Sequence, residues 1–184
     1  VISVKRTPEL VDPCKKVLEQ RGDGGTGWSR AWKMALWARL YDGNRANTVF
    51  KGYLKEQAYP QLFAKCFTPL QVDGSFGVTA AVSEMLIQSH EGVIDILPAL
   101  PSEWNDGQLN GVCARGAFEI SMKWKSSKIS NLAVLSKAGV TCVIDPKCRV
   151  AVKCNGKRIS VKELGNGIIS FATAPGNTYD LIPL

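Results

Sequence analysis

The chain has 184 residues, 45% hydrophobic and 21% charged. That is enough apolar mass for one domain or two small ones, and too much for wholesale disorder. Formal net charge is +7, and no run approaches about 20 apolar residues, so nothing is expected to span a membrane.

The first half reads helical. Thr7-Pro8-Glu9 is a helix start, with a cap residue, Pro in the first turn and an acid near the positive end. Leu10, Val11, Cys14, Val17 and Leu18 then form one apolar face, and Arg21-Gly22 closes the helix. A second helix is predicted from Ser29 to about Leu40. Its apolar residues, Trp32 and Trp37 among them, fall around most of the circumference, so burial on several sides is expected. Asp42-Gly43 breaks the chain. Ala46, Val49, Phe50, Tyr53 and Leu54 mark a third, one-sided helix. Pro60 to Gly74 reads as a loop, and a fourth helix is predicted from Ser75 or Phe76 to about Ser89. Stacked helical hairpins and an ordinary bundle both fit this pattern.

After His90-Glu91-Gly92 the period changes. Val93 to Pro101 is apolar but too short for a helix. Phe118, Ile120, Met122 and Trp124 alternate with polar residues, the mark of a half-buried strand. Further runs centre on 132–135, 140–144, 150–154, 168–171 and 179–182, separated by turn signals such as Asn155-Gly156. Six or seven such strands predict an antiparallel β-sandwich. The fold class is therefore α+β in two parts, divided as helical residues 1–92, a connection 93–106 and a sandwich 107–184.

The charge follows this division. Residues 1–106 hold 12 Lys/Arg and 12 Asp/Glu, whereas 107–184 hold 11 and 4. A basic sandwich can bind a polyanion or glycan. The basic residues are scattered along alternating strands, without an arginine-rich run, so a solvated face is the plainer reading and no nucleic-acid partner is expected. The six cysteines contain no CxxC pair and the chain has one His, so no metal site is expected. Free buried thiols are favoured, with one disulfide left open.

His90 follows a helix and is read first as a C-terminal cap. Gly22 to Gly27 matches no nucleotide-binding pattern, and no cofactor is expected. These glycines permit close approach, to another helix end or to a ligand. Trp28 at the next helix start suits stacking on a pyranose, or simply the core. Asp73, in a glycine-flanked loop before the fourth helix, suits either a helix cap or a catalytic carboxylate.

Together these segments resemble one family, the inverting α-L-fucosidases and their α-L-galactosidase relatives. The resemblance is carried by Gly25 to Gly43 (GTGWSRAWKMALWARLYDG), Gln71 to Gly77 (QVDGSFG), Glu84 to Gly92 (EMLIQSHEG), Leu97 to Pro101 (LPALP), Gly111, and Arg115 to Glu119 (RGAFE). It covers nearly the whole chain. It implies the last helices of an (α/α)₆ barrel followed by a C-terminal β domain, with an N-terminal part of the same protein lying outside this sequence. It implies a glycan substrate ending in α-L-fucose or α-L-galactose, and single-displacement hydrolysis without metal or cofactor. In the family a Glu protonates the leaving oxygen, and an Asp polarises two Asn side chains that activate water, with about 6.5–9.5 Å between acid and base groups. Asp73 matches that Asp, and it should sit at the concave rim of a partial ring. Gln71 and Trp28 match positions near the sugar. The Glu and both Asn would lie upstream, so the isolated chain is expected to be inactive and to self-associate through exposed helix faces. Secretion or periplasmic export is expected from the family's role. Two stretches depart from the family text. Its Asp-Gly-Asn-Phe-Gly reads Asp73-Gly74-Ser75-Phe76-Gly77 here, and its His-Pro-Pro-Phe-Gln reads Phe67-Thr68-Pro69-Leu70-Gln71, a loss of His that bears on sugar preference. The rival readings are a carbohydrate- or polyanion-binding module and a structural domain.

Overall fold

The computed structural model describes residues 2–184. A 3-10 turn at Pro8–Leu10 leads into α1 (Val11–Arg21). Thr7 stands where a cap was predicted, but its hydroxyl turns back to Ser3. It donates to the Ser3 carbonyl at 3.1 Å and accepts from the Ser3 amide at 2.9 Å. Gly22, at φ 66°, ends α1. Next come α2 (Gly27–Arg39), α3 (Gly43–Glu56) and α4 (Val72–Leu86). Asp42 caps α3, its carboxylate accepting the Arg45 amide at 3.0 Å.

The chain divides into two compact units. One comprises Val1–Leu86 with Pro98–Ser102, the other Ile87–Leu97 with Glu103–Leu184. In the first, α2 packs against both α3 and α4. It buries Ala31, Met34, Trp37 and Ala38. The expected burial of α2 on several sides is found, though one ridge stays partly open. Trp28 and Trp32 remain 44% and 39% exposed, because α4 and α1 cover them only in part. Arg30 and Lys33 are buried instead. The Pro98–Ser102 segment returns to the start of α3. A Cβ on Gly43 would lie 2.2 Å from the Ala99 carbonyl oxygen, so only glycine fits there.

The fourth helix begins and ends about three residues earlier than predicted. Its start is set by the Gln71 carbonyl, which accepts the Ser75 amide at 3.3 Å and draws Asp73 into the first turn. Its end is set by pairing. Ile87–Gln88 (β1) leave the helix to form a hairpin with Ile94–Ile96 (β2), Ile87 opposite Ile96. Gly92, at φ 81°, lies in the turn. His90 therefore lies in that hairpin turn, beyond the helix end.

The second unit continues with β3 (Gly107–Ala114), β4 (Phe118–Lys125), β5 (Lys128–Ser136), β6 (Cys142–Asp145), β7 (Val150–Cys154), β8 (Lys157–Arg158), β9 (Lys162–Gly165), β10 (Ile168–Phe171) and β11 (Thr178–Pro183). They form two sheets, ordered β1-β2-β6-β10-β9 and β3-β4-β5-β11-β7-β8. The second is antiparallel throughout. The first contains one parallel pair, β2 with β6, which the antiparallel expectation missed. Parallel neighbours need a long crossover, and residues 97–141 supply it. Alternation places Phe118, Ile120, Met122 and Trp124 inside, with Leu132, Val134, Tyr179 and Leu181 beside them. The other sheet contributes Ile96, Cys142, Ile144, Ile169 and Phe171. The rings of Phe171 and Tyr179, one from each sheet, lie 5.3 Å apart. The predicted Asn155-Gly156 turn joins β7 to β8, with both residues at positive φ (50° and 76°) as a type I′ turn requires.

All six cysteines are free thiols. Burial pushes the Cys142 thiol up to about 12, so it is an inert apolar group at neutral pH. The register of β2 and β6 sets the buried carboxylates of Asp95 and Asp145 side by side. The Lys147 ammonium bridges them at 3.1 and 2.6 Å.

Candidate active site at two abutting helix starts

Glycines let the starts of α2 and α4 meet. A Cβ on Gly74 would fall 2.7 Å from the Ala64 Cβ and 2.9 Å from the Trp28 nitrogen. A Cβ on Gly27 would fall 2.8 Å from the same Ala64 carbon. Of the two roles open to the glycine run, contact between chain segments is thus realised at Gly27.

Ala64 is fully buried between these ends. Its amide donates to the Ser75 hydroxyl at 2.9 Å, and its carbonyl accepts the Gln71 amide at 2.8 Å. Ser75, where the resembled family carries Asn, therefore pins the loop that separates α3 from α4.

No local side chain caps α2. Thr26 is extended and makes no side-chain cap bond. The first free amides of the helix are met from a distance instead. Gly27 donates to the Lys65 carbonyl at 2.9 Å, and Trp28 donates to the Gln71 side-chain oxygen at 2.8 Å. Gln71 is therefore a long-range cap for α2, which satisfies donors that would otherwise be orphaned.

The structure brings together the three residues singled out from the sequence. Gln71 and Trp28 are hydrogen-bonded, and Asp73 follows Gln71 by two residues. The Trp28 ring lies along α4, where a Cβ on Gly77 would come within 3.0 Å of it. Its remaining surface is open, an apolar platform of the kind that a pyranose can cover. Asp73 is exposed in the first turn of α4, a favourable place for negative charge. One carboxylate oxygen accepts the Gly74 amide at 2.9 Å. The other makes no bond among the described residues. A cleft of about 430 Å³ opens between α1 and α2, lined by Leu10, Val17, Trp32 and Leu36, but Asp73 is not part of it.

Two residues that the sequence reading passed over fix the glycine loop. The Lys33 ammonium donates to the Gly24 carbonyl at 2.7 Å, and the Arg30 guanidinium donates to the Gly25 carbonyl at 3.1 Å while pairing with Glu56. Burial, then the nearby Arg21 charge, lowers the Lys33 pKa, and Asp23 opposes them. The available signal was two cations three residues apart, immediately after a glycine run. No group of His, Cys, Asp and Glu suited to a metal occurs among the described residues.

The profile described as "Glycosyl hydrolase family 95 catalytic domain" matches residues 1–86, and that of "Glycoside hydrolase family 95, C-terminal domain" matches residues 88–181. Alpha-L-fucosidase 2 of Arabidopsis thaliana is 38% identical over 147 residues, covering 74% of this chain and 17% of that protein. A probable alpha-fucosidase A of Aspergillus niger is 27% identical over 139 residues, covering 65% of this chain and 17% of the relative. Its namesake in Aspergillus oryzae is 29% identical over 143 residues, covering 67% and 20%. The chain thus spans a fifth or less of the length of these relatives.

Proposed function

This chain belongs to glycoside hydrolase family 95, and we propose that it supplies the last helices of the catalytic domain and the C-terminal β domain of an enzyme that removes terminal α-L-fucose, or α-L-galactose, from glycans. The reaction is hydrolysis by single displacement, with inversion at the anomeric carbon. Asp73 polarises the side chains that hold the attacking water. Trp28 faces the sugar, and Gln71 keeps the tryptophan's helix end in place.

One observation carries this reading. Two helix starts are pressed together through Gly27 and Gly74, and the Trp28 ring and the Asp73 carboxylate are both left exposed beside that contact. The second Asp73 oxygen makes no bond among the described residues and Trp28 is 44% exposed, so both stand ready for a ligand.

The general acid and the walls of a sugar pocket come, on this reading, from a part of the protein outside these residues. The exposed apolar side chains of the helical unit, Trp32, Phe67 and Phe76 among them, suit contact with that part. The isolated chain is accordingly inactive, since loss of the acid alone removes about 10²–10⁴ in rate.

Proton NMR of the full-length enzyme acting on an α-L-fucoside, read before the product mutarotates, tests the mechanism. The first sugar seen should be β-L-fucose. Initial release of the α anomer would refute single displacement, and sustained turnover by the 184-residue chain would refute the division of the site.

A further inference from the structure

The second unit holds a cleft that the hydrolytic reading does not use. It has a volume of about 1030 Å³ and lies where edge strand β8 of one sheet passes to edge strand β9 of the other. Its floor includes Ile159 and Ile168, and its polar lining includes Arg149, Arg158, Ser160 and Asn166. We infer that this cleft binds an acidic saccharide chain, with Arg149 and Arg158 each meeting an anionic substituent.

The chemistry of the lining selects that class. Arg149 and Arg158 are exposed and make no ion pair or side-chain hydrogen bond among the described residues. A free guanidinium is a planar fork matched to carboxylate or sulfate. Lys147 also lines the cleft, but it is held by Asp95 and Asp145. Glu163 is the other acid in the lining, and Lys157 and Lys162 flank the cleft on β8 and β9. The lining thus holds three cations against two acids, and Arg149 and Arg158 are the two that no acid engages among the described residues.

Hydroxyl-rich ligands need donors and acceptors at close spacing. Ser160 and Asn166 provide both, and edge strands leave backbone amides and carbonyls unpaired. No aromatic side chain lines the cleft. Neutral sugars and nucleic-acid bases both rely on such rings for stacking. Charge is what remains to supply affinity, so a neutral glycan should not bind here.

The test is titration calorimetry on the full-length enzyme with three probes: a galacturonate hexamer, a heparin hexasaccharide and a neutral cello-oligosaccharide that carries no fucose or galactose. The galacturonate hexamer carries carboxylates alone and the heparin fragment adds sulfates to them, so binding of heparin only would assign sulfate, and binding of at least one is expected. Arg149→Ala and Arg158→Ala should each weaken it about tenfold, and the pair should abolish it, with an unchanged melting temperature because both side chains are exposed. Lys123→Ala with Lys125→Ala removes equal charge from β4, which does not line the cleft, and should leave affinity within about twofold. The proposal is overturned if neither acidic probe binds, if the neutral probe binds equally well, or if the two double variants weaken binding to the same degree. Competition by a single-stranded oligonucleotide at equal affinity would also overturn it, by showing a site that reads charge alone.

Discussion

Ala64 shows how little room the candidate site leaves. Its methyl group faces Gly27 on one helix and Gly74 on the other, and its amide and carbonyl are both committed to the start of α4. A larger side chain there has to separate the two helices. Ala64→Leu should cost about 1–3 kcal/mol of stability, the usual range for an overpacked site. In the full-length enzyme it should also lower turnover, because Asp73 and Trp28 are carried on the ends that move apart. Denaturant unfolding and steady-state rates check both effects. Normal stability and normal rates together would show that the close contact is incidental. Gln71 acts at the same scale. The sequence motif suggests a place near the sugar, and the side-chain oxygen also accepts the Trp28 amide. Pattern alone did not reveal this, because the two residues are 43 positions apart.

Among the elements, the β2–β6 pair is the most exposed to a single change. Parallel register sets two buried carboxylates together, and the Lys147 ammonium bridges them. Burial pulls the Lys147 pKa down, but hydrogen bonds and charge from Asp145 and Asp95 outweigh it and hold the pKa above its ordinary value. Lys147→Met would take the bridging ammonium away from both carboxylates. About 2–3 kcal/mol should be lost, somewhat under the usual cost of breaking a buried pair because the ammonium is partly solvated. The sign with pH follows from the raised value. The contribution is complete below the unfolded pKa of about 10.4 and fades as pH rises through the folded one. The gap between wild type and variant, measured by denaturant unfolding, should thus be constant from neutral pH to about 10 and shrink above it. A gap that widens in alkali would contradict the assignment.

The same element shows what the sequence could and could not convey. Local pattern located the helices, the alternation of β4 and the Asn155-Gly156 turn, because each rests on contacts within a few residues. It missed the early end of α4, where Ile87 is drawn into a hairpin with Ile96, and the parallel pair, where Ile94 meets Ile144 across a long crossover. It also read Lys147 as one more scattered cation.

For the whole molecule, the helical unit leaves a good deal of apolar surface uncovered. Phe67 is 84% exposed and Phe76 is 72% exposed, and the Trp28–Trp32 ridge adds to them. Light scattering on the 184-residue chain should report a mass that rises with concentration, and Trp32→Glu with Phe76→Glu should reduce that rise. A clean monomer at every concentration would count against these faces as docking surface. At this scale the family was legible from short motifs, since residues that build a tight helix contact leave few alternatives in the text. The cleft at Arg149 and Arg158 was not legible, because its lining gathers residues from 145 to 184 that only the sandwich brings together. The account rests in the end on Asp73. It is exposed, and its bond to the Gly74 amide can be kept by the amide oxygen of an asparagine. The decisive measurement is kcat of the full-length Asp73→Asn enzyme on an α-L-fucoside, with its melting temperature taken alongside. The account predicts unchanged melting and a fall of about 10²–10⁴ in kcat. A variant that turns over within about twofold of the wild type would contradict it.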